Sequence, residues 1–188
     1  MGEIPAPASK RTMPEGYAIE CPRRDEIPLL SAIEAAAGAL FPPEDMPPAL
    51  REQTLPLSVL EEALEVGHLW IVRERESQAP VGYVAVSLVD GSLHLRQLDV
   101  LPEHGRRGLG TGLVLHIVRW AREEGFSWLS LTTFRHLPWN APFYARLGFV
   151  PVPESAQGAE LRAVLESQAA EGLDPAKRVA MVLDLATL

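Results

Sequence analysis

One glycine-rich turn constrains this chain more than any other stretch, because it joins a strand pattern to a long amphipathic helix pattern. It reads Gly105-Arg106-Arg107-Gly108-Leu109-Gly110-Thr111-Gly112. Upstream, His94-Leu95-Arg96-Gln97-Leu98-Asp99-Val100 alternates apolar and polar residues as a strand does, and Pro102 closes it. Downstream, Leu109, Leu113, Ile117 and Val118, with Trp120 and Ala121, recur at helical spacing as far as Glu124. The glycines remove the side chains that would hold a ligand off the backbone. They leave amides at the positive end of a helix, where an anionic group such as a pyrophosphate is favoured.

The spacing separates this turn from better-known phosphate loops. A Walker A loop ends in Gly-Lys-Ser/Thr, whereas this one ends in Gly-Thr-Gly without a lysine. A dinucleotide fingerprint places its third glycine three residues after its second, whereas Gly112 follows Gly110 by two. A tight strand-to-helix turn with solubilising arginines is the bland alternative.

A second segment argues against the bland reading. After the short apolar run Trp128-Leu129-Ser130-Leu131-Thr132-Thr133 comes Asn140-Ala141-Pro142-Phe143-Tyr144-Ala145-Arg146-Leu147-Gly148-Phe149-Val150. With the Arg-Gly-x-Gly turn, this resembles the two signature segments of the GNAT superfamily of acetyl-CoA-dependent N-acetyltransferases. From Leu93 to Val152 the elements follow in that family's order. Gly105 stands where the family often has Gln or Arg, a departure that touches the motif more than the backbone chemistry.

The remaining sequence predicts one domain over residues 16–188, preceded by a mobile N-terminal tail over residues 1–15 marked by Pro5, Pro7 and Pro14. Strands are predicted at Tyr17–Cys21, Leu69–Arg73, Val81–Leu88 and Arg178–Leu185, with an Asp90-Gly91 hairpin leading to the strand at Leu93. Helices are predicted at Arg24–Leu40, at Ser58–Val66 with Ser58 as cap and Glu61 three residues on, and at Gly158–Ala170. The Pro-rich stretch Phe41–Pro48 is predicted to be a stiff loop. Early hairpins followed by a strand-helix-strand unit imply a mixed α/β (α+β) fold. The resemblance makes that a mostly antiparallel central sheet, splayed in the middle, with helices on both faces.

Charge and composition remove other classes. Among 188 residues, 17 Lys+Arg face 25 Asp+Glu for a net charge of −8, which argues against a nucleic-acid partner. No stretch reads as a membrane span, and the N-terminal segment lacks the apolar core of a signal peptide, so a cytoplasmic protein is expected. The five histidines lack ligand spacing and indicate no metal. Cys21, the only cysteine, is read as a packing residue. A homodimer is left open.

The resemblance supplies site residues. It implies that the backbone of Leu98, Asp99 and Val100 pairs with pantetheine amides. It implies further that the amides of Arg107, Gly108, Leu109, Gly110 and Thr111, with Gly105, Arg106 and Gly112 beside them, hold the pyrophosphate of acetyl-CoA. Asn140 and Phe143 match cofactor-contacting positions, although Asn140 also reads as a helix cap. Tyr144 matches the family's general acid for the departing thiolate, against an alternative as an aromatic packed beside Phe143.

A primary alkylamine with a pKa near ~10 is only about 0.1% neutral at pH 7, so transfer to it needs a base or a water chain. The candidates on the strand are His94, Gln97 and Asp99. Gln97 accepts no proton usefully, and His94 has a suitable intrinsic pKa but also reads as a packing residue. Glu34 and His136 are more remote candidates. The acceptor is expected near the first two helices, the Phe41–Leu55 loop and Phe134-Arg135-His136. The expected activity is transfer of acetyl from acetyl-CoA to a small-molecule or peptide amine by direct attack in a ternary complex. A non-catalytic acyl-CoA-binding or regulatory module is the alternative.

Overall fold

A computed structural model describes residues 13–187. The predicted tail therefore lies, for residues 1–12, outside the described residues; within them Met13 packs on the main core. Among the described residues seven strands form one sheet: β1 (Tyr17–Glu20), β2 (Leu69–Glu74), β3 (Pro80–Val89), β4 (Ser92–Val100), β5 (Trp128–Phe134), β6 (Val150–Pro151) and β7 (Arg178–Asp184). Their order is β1-β2-β3-β4-β5-β7-β6, and only β4 and β5 run parallel. The helices are α1 (Ile27–Gly38), α2 (Pro48–Arg51), α3 (Leu57–Glu65), α4 (Leu109–Glu123), α5 (Ala141–Ala145) and α6 (Ala159–Ala170).

Side-chain alternation along the strands assigns each helix to a face. On β3, Val84 and Val86 join Leu109, Leu113, Ile117 and Tyr144 in the larger core, so α4 and α5 cover that face. Tyr83 and Ala85 point the other way and meet Ile27, Leu30 and Ile33 of α1 and Leu60 of α3. α6 covers the far end of this second face, where Leu161 meets Val89 and Ala180.

Several boundaries differ from the sequence expectation for local reasons. The helix predicted from Arg24 opens as a 3-10 turn and becomes regular at Ile27, with Pro28 in its first turn. Ser58 does not cap α3: the cap position is Pro56, whose fixed φ suits a helix entrance, and Ser58 lies inside the first turn. The Pro-rich loop holds as far as Pro47, after which Pro48 starts the short α2. Asp90 and Gly91 both have left-handed φ values, 51° and 70°, as a tight two-residue hairpin requires. The Asp90 carboxylate then accepts from the Glu160 and Leu161 amides at 2.9 and 3.0 Å, so this hairpin caps α6.

One buried ion pair ties α1 to the sheet. Arg73 of β2 donates from both terminal nitrogens to Glu26 at 2.8 and 2.9 Å, and it also bonds Glu20 and the Gln78 carbonyl. The side chains of Arg73 and Glu26 are only 8% and 4% exposed, and Arg73 holds the Glu26 carboxyl below the ordinary carboxylate range. Removing Glu26 leaves the buried guanidinium with the partly exposed Glu20 as its remaining carboxylate. Glu26→Ala is therefore expected to cost on the order of 3 kcal/mol, read from urea unfolding; an unchanged midpoint would contradict this.

Candidate active site

The site begins with a defect in strand pairing. Val86 faces Leu95 and Ala85 faces Gln97, leaving Arg96 as an extra residue in β4. The bulge reverses the alternation. Leu93 and Leu95 belong to the core beneath α4, and beyond the bulge it is Leu98 and Val100 that pack there. Asp99 lies opposite Tyr83, on the α1 face. β4 pairs with β5 only through Leu93, His94 and Leu95. From Arg96 onward the strands separate, and the β5-facing backbone of Leu98, Asp99 and Val100 borders a cleft of about 1590 Å³.

The glycine turn forms one wall. Arg106 and Gly108 adopt left-handed φ values of 57° and 88°, bending the chain into the start of α4. Among the described residues, the amides of Arg106, Arg107, Gly108, Leu109, Gly110 and Thr111 meet no acceptor. Six successive free N–H groups at the entrance of a helix form an anion cradle. The flanking glycines have other duties. The Gly105 amide donates to the Pro102 carbonyl at 3.0 Å and the Gly112 amide to Gly108 at 2.9 Å. A Cβ on Gly112 would stand 2.6 Å from the Met13 side chain. The Arg107 guanidinium is also committed elsewhere, to the Tyr17 hydroxyl at 2.9 Å and the Glu103 carbonyl at 3.0 Å. Arg106 is exposed at the cleft.

α5 forms the opposite wall. Asn140 makes no cap bond to α5; its side-chain oxygen accepts from Thr133 Oγ1 at 2.6 Å and from the Phe134 amide at 3.3 Å, fixing the end of β5. Phe143 reaches across to the turn, where a Cβ on Gly110 would lie 3.7 Å from its ring. Tyr144 stacks edge-on to Phe143 and Phe149, at 4.9 and 5.5 Å between centroids. Its hydroxyl has no hydrogen-bond partner among the described residues, and the side chain lines the cleft. Burial, reinforced by the charge of Asp99, raises its pKa well above that of an ordinary phenol, so it stays a proton donor.

The acid-base candidates separate clearly. Asp99 is buried and lines the cleft, its Oδ2 accepting from Gln97 Nε2 at 2.7 Å. Desolvation, opposed by that bond and assisted by the charge of Glu34, raises its carboxyl to about 7. Glu34 accepts from the Tyr83 hydroxyl at 2.8 Å and the Leu55 amide at 3.0 Å, and burial raises its pKa too. His94 also borders the cleft, but Nδ1 bonds the Ser130 hydroxyl at 2.9 Å, and burial with nearby Arg96 lowers it to about 4. His136 is bound through Nε2 to Asp45 at 3.0 Å and does not line the cleft. Cys21 is exposed and absent from the lining.

Residues 31–149, more than half of the chain, match the model of the acetyltransferase (GNAT) family. The chain belongs to that family. GNAT enzymes use acetyl-CoA, and the run of free amides fits its pyrophosphate. The fold is similar to that of N-acetylglutamate synthase from Neisseria gonorrhoeae, solved with coenzyme A and N-acetyl-glutamate. The two share 17% identity at a TM-score of 0.66, covering 92% of this chain but only 36% of that one. It is similar also to the PaiA N-acetyltransferase of Thermoplasma acidophilum, solved with coenzyme A, at 14% identity, a TM-score of 0.63 and coverage of 89% and 98%. Arabidopsis thaliana Naa50, bound to a bisubstrate analogue, shows 14% identity, a TM-score of 0.62 and coverage of 90% and 99%. At these identities the likeness concerns the fold. Among the described residues no helix is long and apolar enough to cross a membrane.

Proposed function

We propose that this GNAT acetyltransferase moves acetyl from acetyl-CoA to a primary amine by direct attack within a ternary complex, with Asp99 as base and Tyr144 as acid. The observation that carries this reading is the pair itself. A carboxyl raised to about 7 and a phenol held protonated border one cleft, close enough for the Asp99 charge to act on Tyr144. Acetyl-CoA supplies the acetyl group as a thioester. The amides of Arg106 to Thr111 hold its pyrophosphate, and the open backbone of Leu98 to Val100 aligns its pantetheine arm. Asp99 takes a proton from the acceptor nitrogen as that nitrogen attacks, and the Tyr144 hydroxyl gives one to the departing sulfur. His94, already neutral and bonded to Ser130, supports β4 instead.

Titration calorimetry with acetyl-CoA and a screen of amines for release of free coenzyme A test the proposal. Tyr144→Phe keeps the ring packing and removes the proton donor. It is expected to lower kcat on the order of 10²-fold while leaving acetyl-CoA affinity within about twofold. An unchanged kcat would remove Tyr144 from the chemistry, and loss of affinity would make it a packing residue of the cofactor wall.

A further inference from the structure

The face of the cleft turned away from α4 contains a buried guanidinium that no carboxylate neutralises. Arg178 opens β7 opposite Phe134, is 9% exposed, and lines the cleft. Its guanidinium lies over the Phe134 ring, 4.6 Å from the centroid. Nε and Nη2 both donate to one amide oxygen, Gln168 Oε1 of α6, at 3.3 and 3.0 Å. Nη1 has no partner, and no carboxylate lies within ion-pair distance among the described residues. Arg73 shows how the same fold treats a buried arginine of purely structural role, with two carboxylates and a carbonyl around it. Burial lowers Arg178 to about 10, unopposed by any anion. A buried cation is costly to leave in this condition unless an anion arrives from outside.

Two neighbours agree. Arg51 of α2 lines the same cleft; its Nη1 reaches only the Phe41 carbonyl at 3.3 Å, and its Nε is buried without a partner. The Phe41 ring packs on Phe134 at 5.5 Å, so the aromatic pair links the surroundings of the two guanidinium groups. The carboxylates of the cleft are Glu34 and Asp99 beside Tyr83, and Glu171, which is exposed. The inner cleft is therefore divided, with acids near β3 and β4 and cations near β7 and α2.

We propose that the acceptor is an amino carboxylate, its carboxylate paired with Arg178 and its amine directed toward Asp99. The proposal rests on the acetyltransferase reading and narrows it to a substrate class. Planar two-point hydrogen bonding between guanidinium and carboxylate sets the orientation, and the apolar Phe41 and Phe134 keep water from competing for it.

The test measures coenzyme A release with L-phenylalanine, L-leucine and L-glutamate, each beside its α-carboxamide and its decarboxylated amine, with spermidine and a short peptide as further acceptors. At least one acid is expected to exceed its carboxamide in kcat/KM by on the order of 10²-fold. Arg178→Gln should erase that preference by raising KM for the acid, leaving the carboxamide rate and acetyl-CoA affinity within about twofold. Arg178→Lys should restore part of it. If Arg178→Gln does not fold, the wild-type ratio of acid to carboxamide decides alone. Carboxamides or plain amines consumed as well as the acids, or a preference that survives Arg178→Gln, would overturn the proposal. Turnover confined to spermidine or the peptide would overturn it while leaving acetyl transfer standing. Release from no acceptor of any kind would overturn both.

Discussion

Asp99→Asn is expected to slow acetyl transfer by on the order of 10²- to 10³-fold and, at the same time, to stabilise the protein above neutral pH. The two effects share one cause. Burial raises the Asp99 carboxyl from 3.8 to about 7, which makes it a useful base near neutrality and an unfavourable charge above it. Between those values the folded chain holds a proton that the unfolded chain has lost, so stability falls as pH rises from about 4 to about 7. By pH 8 the cost is on the order of a few kcal/mol. Asparagine keeps the shape and carries no charge, so the variant should melt higher than the parent at pH 8 and close to it at pH 4. For the parent enzyme, kcat/KM should climb about tenfold per pH unit below ~7 and level off above it, because only the ionised carboxylate accepts a proton. A variant that keeps this rise would assign the titration to another group, with Glu34 the next to test.

Gly110→Trp is expected to weaken acetyl-CoA binding at least 100-fold by titration calorimetry, without loss of fold. A Cβ at Gly110 would sit 3.6 Å from Leu98 Cδ2 and 3.7 Å from the Phe143 ring, ordinary contact distances, so Gly110→Ala should bind nearly as the parent does. An indole has no such room and must turn into the cleft, over the free amides of the cradle. Retained affinity in the tryptophan variant would mean that the pyrophosphate rests elsewhere.

What the sequence disclosed about this enzyme follows the range of the interactions. The cradle was legible because a glycine turn between a strand and a helix determines its own backbone geometry, and nothing distant is needed to free those amides. The strand-helix-strand order was legible for a similar reason, since each element carries its own period. Asp99 was legible as one candidate base on its strand but not as the better one, because the burial and the Glu34 charge that raise its carboxyl come from residues distant in the chain, and a bulge that periodicity does not reveal sets its face. The role of the Arg107 side chain was hidden for the same reason, since its partner Tyr17 lies ninety positions earlier. Arg178 had no visible signal, since an arginine at a strand start reads as a polar end until α6 and Phe134 enclose it. Ser58 misled because a capping pattern is common in sequence, while Pro56 had already set the helix entrance.

The extra residue in β4 carries a consequence for how this family can vary. Arg96 is exposed, so its chemical identity is nearly free to drift. Its existence is not. Losing that one position would make the Val86–Leu95 and Ala85–Gln97 pairs consecutive, leaving Asp99 and Leu98 on their present faces but removing the bend at which β4 leaves β5. Lineages carrying this active site can thus rewrite the letter at position 96 many times over, yet cannot delete it without straightening the strand that holds the cleft open.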